Sequence, residues 1–168
     1  MNAFHHLSLL IQFFILLFSN TSIILFLHQR GCAGLLNSLF FSLAEAGDGV
    51  LIPSPYYAAF ESDMKVIAEC IPLQVTMKNP PAGPTVDDLD ASLRFAANIN
   101  VKPKILLLTN PNNPFGTIYS AETIKNAIIW ARSHKMHIII DEIYALSIHD
   151  VSNCGVVSSQ AVRNQNLT

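Results

Sequence analysis

Residues 104–144 constrain the fold more than any other stretch of the chain. The run Lys104-Ile-Leu-Leu-Leu-Thr109 closes on a polar cluster, Asn110-Pro111-Asn112-Asn113-Pro114-Phe115-Gly116-Thr117. A second run, His137-Ile-Ile-Ile-Asp141, closes on Glu142-Ile143-Tyr144. Between them Ile124, Ala127, Ile128 and Ala131 recur at helical spacing. A strand, loop, helix and strand in that order predict a parallel pair joined by a crossover helix, because a tight turn cannot join parallel strands. Ligands of such sheets sit beyond the carboxyl ends of the strands. Those ends carry Asn113 and Asp141. A buried strand that stops on a carboxylate needs a positive group or a proton donor opposite it.

The flanking segments extend the same pattern. Leu35, Leu36, Leu39, Phe40 and Leu43 stand at helical spacing, and Gly47-Asp48-Gly49 supplies residues suited to end that helix. Val50-Leu51-Ile52 predicts a short buried strand stopped by Pro53-Ser54-Pro55. A helix is expected after Tyr56-Tyr57 as far as about Ile67, and a second strand near Cys70 to Val75. After the proline-rich stretch from Lys78 to Pro84, Thr85 with Asp88 three residues on predicts a capping box. Leu89, Leu93, Ala96 and Ala97 give the helix that follows an apolar face. The predicted class is α/β, a mostly parallel sheet with flanking helices. The expected limits are an apolar N-terminal segment over 1–30, the α/β unit over 31–148 and an irregular tail over 149–168.

Composition excludes several functions. A chain of 168 residues is one domain or part of one. Its net charge is −2, with no basic stripe, which argues against a nucleic-acid partner. Cys32, Cys70 and Cys154 are isolated, so neither a metal site nor a disulfide framework is expected. Residues 7–27 are apolar and long enough for one membrane crossing, although Ser19-Asn20-Thr21-Ser22 interrupts them. No positively charged segment precedes them, as a signal peptide requires. Two readings stand for this stretch: a membrane anchor, or a sequence unrelated to the α/β unit and joined to it.

The joint order of three motifs carries a resemblance. Pro53-Ser54-Pro55-Tyr56-Tyr57, then Asn112-Asn113-Pro114-Phe115-Gly116-Thr117, then a crossover helix and Asp141-Glu142-Ile143-Tyr144 resemble the large domain of fold-type I pyridoxal-phosphate enzymes. The nearest likeness is to class I/II aminotransferases, and within them to 1-aminocyclopropane-1-carboxylate synthase-like proteins. It covers about residues 31–148 and implies part of the large domain of the aspartate aminotransferase-like fold. It also implies pyridoxal 5'-phosphate as cofactor, an amino-acid substrate, a cytoplasmic location and, for the full-length family, a homodimer.

Site residues follow from the same resemblance. Asp141 would hold the pyridine nitrogen, and Asn113 and Tyr144 would donate to the ring's phenolate oxygen. Tyr57 would stack on the ring. Amide N–H groups of the small-residue turn at Cys32 and Ala33, which opens a helix, would hold the phosphate. Asn113-Pro114 matches a tight, often cis, turn of the family. The family's Schiff-base lysine lies in a serine-lysine segment after the aspartate, whereas Lys102, Lys104, Lys125 and Lys135 precede Asp141. The expectation is therefore a truncated domain without its catalytic lysine, inactive alone. The parent reaction would be amino-group transfer or α,γ-elimination, and the motifs do not choose between them.

Blander alternatives stand beside these assignments. Asp141 alone would serve equally as a helix N-cap, and Tyr57 alone as a rim aromatic. Asp141-Glu142 after an apolar strand also resembles a Walker B segment, but that needs a G-x-x-x-x-G-K-[ST] loop, which the chain lacks. At the level of the whole chain, the alternative is a non-catalytic, membrane-anchored interaction protein that reuses the fold. An unrelated doubly wound domain with a phospho-acceptor aspartate would not require the set Tyr57, Asn113 and Tyr144.

Overall fold

The computed structural model describes residues 31–145. The expectations for residues 1–30, including the apolar stretch 7–27, and for the tail lie outside the described residues. Within them the elements run α1 (Cys32–Leu43), β1 (Gly49–Ser54), α2 (Ala59–Lys65), β2 (Ile71–Thr76), a 3-10 turn (Pro80–Ala82), α3 (Val86–Asn98), β3 (Pro103–Thr109), α4 (Ala121–Ser133) and β4 (His137–Asp141). The strands form one sheet in the order β2-β1-β3-β4, with every neighbouring pair parallel. Among the described residues no helix is long and apolar enough to cross a membrane.

Strand alternation divides the apolar residues between two layers. Leu51, Leu106, Leu108, Ile138 and Ile140 face α3 and α4, where Leu89, Ala96, Ile124, Ala127, Ile128 and Ala131 meet them. Val50, Ile52, Ile105, Leu107 and Ile139 face the other way, onto Leu35, Leu36, Leu39 and Phe40 of α1 and Phe60 and Met64 of α2. The spacing of Ile124, Ala127, Ile128 and Ala131 is thus the buried stripe of α4. Both central strands are buried along most of their length because helices cover both faces.

Local chemistry sets the ends. Thr85 accepts the Asp88 N–H, and the Asp88 carboxylate accepts the Thr85 N–H at 3.1 Å, the capping box that the sequence predicted. Ser120 caps α4 through the Thr123 N–H. Three details depart from the sequence reading. Helix α1 stops at Leu43, with Ala44 extended, and Gly47 serves instead in a separate turn closed by Glu45 and Asp48. Pro53 lies inside β1 rather than stopping it. The β1–β3 ladder ends at Leu51, so a residue without an N–H costs that ladder nothing. Ala97 is exposed, one step beyond the apolar stripe that Leu89 and Ala96 define.

Candidate functional site

Strands β3 and β4 end side by side, with Thr109 opposite Asp141 and the Asn110 N–H on the Asp141 carbonyl at 2.9 Å. Asp141 is two residues beyond Ile139, so its side chain falls on the α1/α2 layer. There a cavity of about 250 Å³ opens. Cys32 and Ala33 of α1, Tyr57 before α2, Asn113 after β3, Asp141 at the end of β4 and Tyr144 just after it all line it. The structure therefore brings every site residue expected from the sequence to one place.

Each wall has a physical character. Asp141 is only 3% exposed, and burial raises its pKa from the ordinary aspartate value. The Ile143 N–H, 3.1 Å from Oδ1, and the Cys32 thiol both donate to it and oppose that rise. Burial, reinforced by the neighbouring Asp141 charge, pushes the Cys32 thiol up to about 12, so it stays protonated and acts as a donor. Asn113 Nδ2 donates to the Tyr144 hydroxyl at 3.3 Å, which sets an amide and a phenol together at the cavity wall. Tyr57 is 50% exposed, and its ring is fixed edge-on to Phe60 with centroids 5.6 Å apart. Helix α1 follows the cap residue Gly31, where φ is 95°, and has no side-chain cap and no acidic residue in its first turn. Its first N–H groups and dipole are thus free of a competing carboxylate from their own turn. The peptide Asn113–Pro114 is cis.

The alternative reading of Asp141 is partly visible too. Its bond to the Ile143 N–H is a local turn of the kind aspartates make with their own backbone. Among the described residues no helix follows it. Glu142, its neighbour, does not line the cavity, yet it is 8% exposed and so is no plain surface residue.

Sequence reasoning missed Thr109 and Asp63, which also line the cavity. Asp63 is 9% exposed, with its pKa raised by burial, and Asn37 Nδ2 donates to it at 3.4 Å. The signal was present: Phe60, Asp63 and Met64 stand at i, i+3 and i+4, the buried stripe of α2. Among the described residues no lysine or arginine lines the cavity, so its two carboxylates face no fixed cation from them. Among the described residues no cluster suits a metal ion.

Comparisons with known proteins agree with this architecture. The model of the family described as aminotransferase class I and II matches residues 21–156. The chain is 38% identical over 120 residues to 1-aminocyclopropane-1-carboxylate synthase 2 of Cucurbita pepo, covering 70% of this chain and 24% of that one. It is 36% identical over 130 residues to 1-aminocyclopropane-1-carboxylate synthase-like protein 1 of Bos taurus, covering 73% and 26%. The chain thus spans about a quarter of the length of these curated relatives. Among solved structures, alanine aminotransferase of Pyrococcus furiosus superposes with a TM-score of 0.59 at 24% identity, over 74% of this chain and 30% of that one. A mutant aspartate aminotransferase of Thermus thermophilus gives 0.52 at 24%, over 63% and 26%. The structural likenesses establish the fold. The family match, over most of the sequence and across the strands that build the cavity, establishes more: the chain belongs to the class I and II aminotransferase family.

Proposed function

We propose that residues 31–145 bind pyridoxal 5'-phosphate, as part of an enzyme acting on an amino acid. The observation that carries the reading is Asp141, a buried carboxylate that faces a cavity with no lysine or arginine among its described lining residues. Such a group calls for a ligand that brings its own N–H⁺. A protonated pyridine nitrogen has that character, and a structural neighbour from Clostridium difficile 630 is PLP-bound. The remaining donors fit the same molecule. Amide and phenol groups suit a phenolate oxygen, an exposed tyrosine face suits a planar ring, and an uncapped helix start suits a phosphate.

The residues then have distinct tasks. Bound pyridoxal phosphate supplies an electron sink for charge that develops on the substrate. Asp141 keeps a proton on the ring nitrogen by opposite charge, in a site where burial strengthens the pair. Asn113 and Tyr144 would donate to the phenolate oxygen and orient the bound ring. Tyr57, half exposed at the cavity, would offer its ring to the bound group and exclude water there. The first amides of α1, at Cys32 and Ala33, hold the phosphate by their unpaired N–H groups. The reaction class is amino-group transfer or α,γ-elimination at an amino acid. The likeness to the curated 1-aminocyclopropane-1-carboxylate synthases supports the second. By family, the working form is a cytoplasmic homodimer.

Titration of pyridoxal phosphate tests this reading. Asp141→Ala removes a close, partly buried ion pair worth about 1–3 kcal/mol, so affinity should fall roughly five- to 150-fold. Glu142→Gln, outside the cavity wall, should leave it unchanged. Equal affinity in wild type and Asp141→Ala would sink the assignment.

A further inference from the structure

The loop that carries Asn113 is anchored to the far side of the sheet by a buried tyrosine that does not line the cavity. Tyr119 is 1% exposed and packs in the α3/α4 layer. Its backbone N–H donates to Asn110 Oδ1 at 2.8 Å, and its hydroxyl accepts from Asn112 Nδ2 at 2.9 Å. Asn112 commits its other groups to the same loop. Its side-chain oxygen takes the Phe115 N–H at 3.3 Å and its carbonyl takes the Gly116 N–H at 2.8 Å. Its own N–H donates to the Thr117 carbonyl at 2.7 Å. Behind the tyrosine ring stands Gly83, where φ is +85° and any Cβ would lie 2.8 Å from Tyr119 Cδ1. The ring is backed by that segment and has no room to retreat towards it.

Asn112 is buried, so its amide cannot turn away without leaving a donor unpaired. Asn113 is the next residue, and its side-chain amide is the one that meets Tyr144 at the cavity. We propose that Tyr119 is a positioning residue for the cofactor site, holding the Asn113 amide towards the cavity through its hydrogen bond with Asn112. The ligand half of this inference rests on the pyridoxal-phosphate reading; the positioning half does not.

Tyr119→Phe keeps the ring and removes only the hydroxyl. Two measurements on the full chain decide its role: the dissociation constant of pyridoxal phosphate, and the Asn113 side-chain amide resonances of ¹⁵N-labelled protein without ligand. Affinity should fall about 3- to 10-fold, the size of one ordinary hydrogen bond. In an Asn113→Ala background the same substitution should change affinity no further, because its route is gone. The Asn113 resonances should move in Tyr119→Phe and stay put in Leu73→Ala, which weakens the core at the edge strand β2, away from this loop and from the cavity wall. A tyrosine that only stabilises the fold would lower affinity equally in both backgrounds and leave the Asn113 resonances in place, and either result overturns the proposal. If Asp141→Ala weakens binding and Tyr119→Phe does not, the cofactor reading stands and this inference falls. If wild type takes up no pyridoxal phosphate, the cofactor reading falls, and unmoved Asn113 resonances would overturn the positioning role as well.

Discussion

Asp141 ends β4 in a buried position, and burial raises its pKa above the unfolded value of about 3.9. Between those two values the native chain holds a proton that the unfolded chain has released. Native stability therefore falls as pH rises through that window, and above it the fold carries the charge at a constant cost. Asp141→Asn removes the charge and keeps an acceptor for the Ile143 N–H. Without ligand at pH 7 it should be the more stable protein by about 0.5–2 kcal/mol, the usual gain when a functional compromise is relieved. The gain should vanish at the acid end of the window. Saturating pyridoxal phosphate should reverse the order, since wild type at 100 times its Kd gains about 2.7 kcal/mol and the weaker-binding variant less. Thermal melts at pH 7 and about pH 4, with and without ligand, check the three statements. A variant less stable than wild type in all conditions would make Asp141 a structural turn residue. This carboxylate was legible in the sequence because it ends an apolar strand. Asp63 was not, because one acidic residue in a short helix reads as solvated until its neighbours Phe60 and Met64 are placed.

Among the elements, the legible ones were those whose own residues decide their limits. The α3 start follows from Thr85 and Asp88, and the α4 stripe from four residues at regular spacing. The end of α1 was misplaced because glycine suits both a helix terminus and an independent turn, and the tertiary path chose the turn. The two helix starts also make a matched pair. Helix α3 satisfies its first turn with a side-chain cap, whereas α1 has none and opens at the cavity. In both, first-turn amides exchange with solvent by local fraying rather than global unfolding. Pyridoxal phosphate should slow exchange at Cys32, Ala33 and Gly34 and leave Val86 and Asp87 unchanged. Hydrogen exchange resolved by NMR reads the difference directly. Equal slowing at both helix starts would mean that no anion sits at α1.

At the scale of the whole molecule, one sheet serves two cores of different duty. The α3/α4 layer packs Leu89, Ile128 and Ile140 together, while the α1/α2 layer opens at the carboxyl ends of β3 and β4 into the cavity, whose walls include Leu36 and Phe60. Adjacent residues of the central strand β3 sample the two layers. Leu106 belongs to the first and Leu107 to the second, and both are fully buried. Leu106→Ala and Leu107→Ala should each destabilise the fold by about 2–5 kcal/mol, the common range for a buried leucine truncated in a packed core. Their effects on the ligand should differ. The space left by Leu107 lies in the cluster that supports Leu36 and Phe60, so relaxation there moves the cavity wall and weakens pyridoxal phosphate binding. The space left by Leu106 lies across the sheet, among side chains that do not line the cavity. Urea melts give the stability of each variant, and titration under conditions where each stays folded gives its affinity. Matched losses of stability with a loss of affinity in Leu107→Ala alone would establish that a packing defect at Leu106 does not reach the cavity, leaving the Tyr119–Asn112 bond as the link between the layers. Equal losses of affinity would mean that the sheet transmits packing defects from one face to the other.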